Sequence, residues 1–296
     1  MDTPAPADEG EPGNTSPFHS RILLFSFCLI VFFSCNQRKK EMPPAPPPQD
    51  TLVKQKAKPE INDTAAAKPV ARKKIYLTFD DGPNKGTMNV LRAIKKEAIP
   101  VSFFIVGKHV FDSPEQKATW ELLKQDSSIE LCNHSFSHAG NRYTNFYKNP
   151  AGVIKDFDQS RDKLQFSNVV TRMPGRNAWR IGDHLRATDI KESKAAIDSV
   201  HKAGYEVMGW DIEWNFDHKT LVPDPDTALL LRRIHNFLNA GTTKTPGHLV
   251  LLAHDQSFQK EENVAILIAF LHALKSDPEY EFMVASKYPG IKKDLP

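Results

Sequence analysis

From Lys74 onward, short apolar runs alternate with longer amphipathic stretches, and this alternation limits the folds open to the chain more than any other feature. The runs at residues 75–79, 102–106, 129–132, 169–172, 205–209, 248–253 and 282–285 have the length and composition of strands. Between them, residues 86–97, 114–125, 151–165, 191–203, 226–239 and 261–274 carry apolar residues at helical spacing. Strands separated by helices cannot pair as hairpins; they pair in parallel through crossover connections. The pattern therefore predicts an α/β fold, a deformed (β/α) barrel of about seven parallel strands. In such barrels the chemistry collects where strands end and the following loops begin.

The first 70 residues do not fit this pattern. An odd acidic leader of 18 residues comes first, and Arg21 then precedes a run of 12 almost wholly apolar residues at 22–33. That is short for a bilayer span and fits the core of a secretory signal. It ends on Ser34 and Cys35, then turns polar at "NQRKK". This resembles a bacterial lipoprotein signal, in which Cys35 becomes the lipidated first residue, although Phe32 and Phe33 depart from its usual aliphatic and small residues. An uncleaved short membrane anchor is the alternative. Residues 36–70 hold no aromatic and are rich in Pro, Lys and Ala, so they cannot bury enough apolar surface to fold. The expected layout is leader and signal at 1–35, an extended tether at 36–70, and one folded domain at 71–296. The expected location is outside the cytoplasm, tethered to a membrane in the periplasm or at the cell surface.

With 39 basic and 36 acidic residues and no basic stripe interleaved with aromatics, nucleic acid is not an expected partner. Three cysteines, Cys28, Cys35 and Cys132, make no disulfide framework, and Cys132 reads as a small buried thiol within a strand. A monomer is expected.

Two acids close the first strand in "IYLTFDDGPN", residues 75–84. Along an extended backbone Asp80 and Asp81 would point in different directions, leaving one to bind a metal and the other to move protons. Taken alone, this pattern is equally that of a solvated turn. After the third strand, "NHSFSH" sets His134 and His138 four residues apart, a spacing that stacks both imidazoles on one face of a helical turn. Asp81, His134 and His138 together would leave coordination positions open for water and substrate, as a catalytic metal requires.

At this point the chain resembles a known family. "TFDDGP" and "HSFSH" are similar to the first two motifs of the polysaccharide deacetylases, the NodB-like carbohydrate esterases of family 4. "TRMPGR" at 171–176 resembles that family's Arg-x-Pro motif, and "LVLLAHD" at 249–255 resembles its final Leu-x-x-His motif. The resemblance covers residues 74–285 and implies a deformed barrel of the NodB-homology type. It implies metal ligation by Asp81, His134 and His138, with Asp80 as the general base and His254 as the general acid. Arg172 would hold Asp80 ionised and aimed, and Pro174 and Gly175 would form the oxyanion side of the substrate site. The cofactor implied is one divalent metal ion, zinc by default, with Co2+, Ni2+ and Mn2+ also suited to one oxygen and two nitrogens.

Two motifs depart from the family pattern. No aromatic stands between Pro174 and Gly175, so Arg176 and Trp179 are candidates for a replacement wall. The fourth motif, usually Asp-x-x-Asp-Trp, here reads "GWDIEWNFD". Asp211 or Glu213 would orient His254 or Arg172, with Asp211 preferred, and Trp210 and Trp214 would either line the sugar cleft or lie in the core. The expected activity is removal of acetyl groups, chiefly N-acetyl, from a cell-envelope or extracellular polysaccharide. The alternatives are an O-acetyl esterase of the xylan type and a catalytically silent glycan-binding lipoprotein.

Overall fold

The structure, a computed structural model, describes residues 71–292. The expected signal segment with Cys35 and the tether at 36–70 lie outside the described residues. In chain order come β1 (Lys73–Gly82), α1 (Thr87–Glu97), β2 (Val101–Ile105), α2 (Pro114–Lys124) and β3 (Ile129–Asn133). A loop leads to α3 (Tyr143–Tyr147), α4 (Pro150–Leu164) and β4 (Val170–Thr171). The pair β5 (Ala178–Ile181) and β6 (Leu185–Thr188) precedes α5 (Lys194–Lys202), β7 (Glu206–Val207) and β8 (Ile212–Glu213). A small ribbon, β9 (Asn215–Phe216) and β10 (Pro223–Asp224), is followed by α6 (Thr227–Ala240), β11 (His248–His254), α7 (Glu261–Lys275) and β12 (Tyr280–Phe282).

Ten strands form one sheet in the order β6-β5-β7-β4-β3-β2-β1-β11-β8, with β12 also paired to β1. β5 runs antiparallel to both β6 and β7, while β1, β2, β3, β4, β7, β8, β11 and β12 pair in parallel. Among the described residues β6 and β8 do not pair with each other, so the barrel is deformed and open. Every expected strand has a counterpart, the last displaced to Tyr280–Phe282. The β5–β6 hairpin, β8 and the β9–β10 ribbon were not anticipated.

Period-two alternation on the central strands separates two cores. Ile75, Leu77 and Phe79 of β1, Val101, Phe103 and Ile105 of β2, and Leu249, Leu251 and Ala253 of β11 pack against the helices. The intervening Tyr76, Phe104 and Val250 fill the barrel interior with Cys132, Trp179 and Met208. Fully burying a side chain of the Val, Leu or Phe class stabilises by about 1.5–3 kcal/mol, so the register of these strands is fixed on both faces. On the interior face the same alternation continues to Thr78 and Asp80 on β1 and to Leu252 and His254 on β11. The candidate site residues therefore fall at the carboxyl ends of these strands. Helix starts are also legible: Ser113 before Pro114, Asn149 before Pro150 and Asp226 before Thr227 each accept an N–H of the first turn. No helix among the described residues is long and apolar enough to cross a membrane.

Candidate active site

β1 ends on the two acids, but not with simple alternation. Asp81 has φ 72°, and the register against β2 shifts between Asp80 and Gly82. This bulge corrects the expectation that the carboxylates diverge. Asp80 Oδ2 lies 3.6 Å and Asp81 Oδ1 3.5 Å from the same atom, His134 Nε2. A short polar side chain tolerates the left-handed region better than most, and His109 Nδ1 secures the bend from 2.8 Å at the Asp81 carbonyl oxygen.

The His134–His138 segment is not the helical turn expected. Ser135 and His138 have φ 66° and 50°, and the loop is held open by specific acceptors. Asn133 Oδ1 accepts from Ser135 N (2.9 Å), Ser135 Oγ from His138 N (3.1 Å), and Asp156 Oδ2 from the N–H groups of Phe136 and Ser137 (3.1 Å each). The imidazole centroids end 5.0 Å apart. His134 Nδ1 sits 2.9 Å from the Arg172 carbonyl oxygen, which accepts a hydrogen bond from Nδ1–H and orients Nε2 toward Asp81.

Ligand atoms of Asp81, His134 and His138 all lie within 4.8 Å of one another. His138 Nε2 is 3.1 Å from Asp81 Oδ1, yet that oxygen is buried with no hydrogen-bond partner among the described residues. Burial pushes the Asp81 carboxyl up, but His134 and His138 outweigh it and hold the group well below the ordinary carboxylate range. A buried anionic oxygen without a donor is costly, and a divalent cation would satisfy it together with two imidazole nitrogens. The residues fit a metal.

Asp80 is held differently. Arg172, fully buried, donates from Nη1 to Asp80 Oδ1 at 2.7 Å and to Thr78 Oγ1 at 2.9 Å. Its Nε and Nη2 donate to the carbonyls of Met208 (3.1 Å) and Gly209 (2.9 Å), and its guanidinium lies 4.0 Å from the Phe104 ring centroid. Every edge of the guanidinium is engaged, so Asp80 faces a fixed positive charge.

Directly across the sheet, Asp80 pairs in register with His254. His254 Nε2 lies 4.0 Å from Asp81 Oδ2, and its Nδ1 is buried without a partner among the described residues. Glu213, paired in register with Leu252, lines the same cavity as His254. Burial raises the Glu213 carboxyl above its ordinary range, with the His254 charge opposing.

Asp211 does not meet the expectation placed on it. Its two oxygens accept the backbone N–H groups of Lys244 (2.7 Å) and Val250 (2.8 Å), which ties a loop to β11 and turns the group away from His254 and Arg172. Trp214 is also reassigned. It is buried against Phe258 and Phe270 and donates to the Pro225 carbonyl at 2.9 Å, so it belongs to the helix-side core. Trp210 is the tryptophan that lines the cavity.

Gly175 lines this cavity at φ 60°, and the preceding Pro174 carbonyl accepts from Tyr147 Oη at 2.7 Å. The expected replacement wall is not Trp179, which is fully buried in the barrel interior. Arg176 instead lies over Tyr147, its guanidinium 4.8 Å from the ring centroid. The residue against Gly175 is Tyr143, from α3, which no motif singled out.

Other unanticipated residues support the site. Asp255 is fully buried beside His254, its carboxylate accepting from Asn84 Nδ2 and Thr87 Oγ1. A Cβ on Gly82 would stand 2.7 Å from Asp255 Oδ2, so that glycine permits the close approach of β1 to β11. Burial, reinforced by the charges of Asp81 and Asp80, pushes the Asp255 carboxyl up to about 7.

Residues 67–208 match the model of the family described as polysaccharide deacetylase. A similar curated protein is the peptidoglycan-N-acetylglucosamine deacetylase of Bacillus cereus, 28% identical over 244 residues that cover 78% of this chain and 77% of that protein. A solved catalytic domain of peptidoglycan N-acetylglucosamine deacetylase from Eubacterium rectale ATCC 33656 superposes with a TM-score of 0.53 at 19% identity, covering 77% of this chain and 94% of that one. A CE4 esterase of Streptococcus mutans superposes with a TM-score of 0.53 at 24% identity, covering 72% and 86%. At these identities the two structures establish the fold, and the matched family model accounts for the first three motifs. Residues 67–208 are thus similar to the polysaccharide deacetylase family, and the fold of the described domain is the fold of its solved members.

Proposed function

We propose that this chain is a divalent-metal-dependent hydrolase that removes N-acetyl groups from a glycan of the cell envelope. One observation carries the reading: Asp81, His134 and His138 converge within 4.8 Å, while Asp80 and His254 face each other in register beside them. The cation, zinc by default, would be held by Asp81 Oδ1 and Nε2 of His134 and His138, and it supplies Lewis acidity that acidifies water and polarises an acetyl carbonyl.

Asp80 takes the proton of the attacking water on its carboxylate. The Arg172 guanidinium holds that carboxylate in place with a charge-assisted hydrogen bond until the transfer. As the water oxygen bonds to the carbonyl carbon, charge grows on the carbonyl oxygen, and the Gly175 N–H donates to it. His254 gives a proton to the sugar nitrogen while the carbon–nitrogen bond breaks, so that the amine leaves neutral and acetate is released. Glu213 lines the same cavity as His254 and is the acid placed to orient its imidazole. The name of the Bacillus cereus relative supports an N-acetylglucosamine substrate. The apolar run at 22–33, Cys35 and the tether support export and a lipid anchor.

The test is acetate release by the full chain from peptidoglycan fragments, chitin oligomers and acetylated xylan, with and without chelator. Release from the N-acetylated glycans, abolished by chelation and restored by Zn2+, is expected. Release from xylan alone would replace this reading with an O-acetyl esterase, and no release at all would favour a silent glycan-binding protein.

A further inference from the structure

We propose that Tyr143, seated on Gly175, sets the size of the acyl group that this site accepts; the inference rests on the deacetylase reading above. An inner cavity of about 250 Å3 is lined by the acids and histidines of the site together with Tyr143, Met173, Gly175, Trp210 and Leu252. An outer cleft of about 730 Å3 adjoins it, bordered by Tyr143, Phe216 and His218 among others. Tyr143 borders both spaces together with Asp81, His138, Glu213 and His254, and of these five it alone is neither an acid nor a histidine.

The ring is packed against three neighbours. Three of its carbons lie 3.1–3.3 Å from where a Cβ on Gly175 would stand, so a side chain at 175 would crowd the ring. On another side, the His138 ring meets it edge to face at 5.8 Å and 87°, with Tyr143 Oη 3.5 Å from His138 Nδ1. Arg176 lies behind, its guanidinium 5.7 Å from the Tyr143 centroid, fixed by bonds to Ser193 Oγ (2.8 Å) and the Gly175 carbonyl (2.7 Å). An acyl group whose oxygen meets the Gly175 N–H has its alkyl end confined by this ring and its apolar neighbours. The chamber has to hold the attacking water, the ion and the scissile amide as well as the alkyl end, and each added methylene in an apolar pocket changes selectivity by roughly 10- to 200-fold.

The experiment uses the zinc-loaded full chain and 4-nitrophenyl acetate, propionate and butyrate, with metal content measured for every variant. Wild type is expected to prefer acetate over butyrate by at least about tenfold in kcat/KM. Tyr143→Ala should raise the butyrate-to-acetate ratio about tenfold, Tyr143→Leu by less, and Tyr143→Phe should keep the wild-type ratio, because the ring and not the hydroxyl is the wall. The graded Leu variant carries the test if the Ala variant loses its fold. A ratio that stays at the wild-type value in metal-loaded Tyr143→Ala or Tyr143→Leu overturns the inference while leaving the deacetylase reading intact. Failure of wild type to hydrolyse any ester or any acetylated glycan overturns both.

Discussion

The mouth of the barrel and the layer just behind it hold three neighbouring acids and treat them in different ways. Asp80 meets a buried guanidinium, and Asp81 meets two imidazoles and keeps one oxygen without a donor. Asp255, one residue beyond His254, meets only the neutral donors Asn84 and Thr87. Neutral donors do not offset burial, so Asp255 is pushed up to about 7, whereas Asp81 is held well below the ordinary range. The contrast separates two uses of a buried carboxylate. At the mouth, charge is kept and made available for chemistry; behind it, the carboxyl ties β1, α1 and β11 together at some cost in stability.

The sharpest break in this comparison is Asp80→Asn. It should lower turnover by about 10²–10⁴-fold with metal still bound, as read by acetate release beside metal analysis. Arg172→Ala strips the compensation from a buried carboxylate and should cost about 3–5 kcal/mol in denaturant unfolding, together with activity. A smaller effect distinguishes the two acids of the fourth motif. Glu213→Gln should lower kcat about tenfold with little change in unfolding midpoint. Asp211→Asn should cost about 1 kcal/mol of stability with kcat retained. Asp255 is tested by pH instead. Its folded pKa of about 7 lies above the ordinary 3.8, so the folded chain holds the extra proton between those values and stability falls as pH rises through them. The full gap corresponds to about 4 kcal/mol. Asp255→Asn should flatten that part of the stability profile in urea titrations from pH 4.5 to 8. An unchanged slope would mean that Asp255 does not titrate as its surroundings dictate.

Asp81, His134 and His138 could be picked out because they follow the ends of β1 and β3, although the bulge at Asp81 and the left-handed loop that positions His138 could not. β1 and β11 leave no doubt about which residues face inward, and Asp80 and His254 follow from that parity. The fourth motif was illegible for the opposite reason. β8 has only two residues, and "WDIEW" offers apolar and acidic side chains for either face. Its pairing with β11 decides the matter: Ile212 lies beside Leu251 on the helix side, and Glu213 beside Leu252 on the interior side. Trp214 then shares the face of Ile212 and enters the helix-side core. The β5–β6 hairpin did leave a signal, a Gly182-Asp183 turn between two four-residue runs, with Gly182 at φ 51°. Tyr143 left none, because its place depends on the absence of a side chain at Gly175, 32 positions later in the chain.

Metal stoichiometry of the full chain and two variants, measured by elemental analysis after dialysis against Zn2+ and removal of free ion, bears most directly on the account. Wild type and Asp80→Asn should each hold about one ion per chain, and Asp81→Asn should hold none. A wild type that binds no ion, or an Asp80→Asn variant that loses the ion while Asp81→Asn retains it, would contradict the division of labour between the two aspartates.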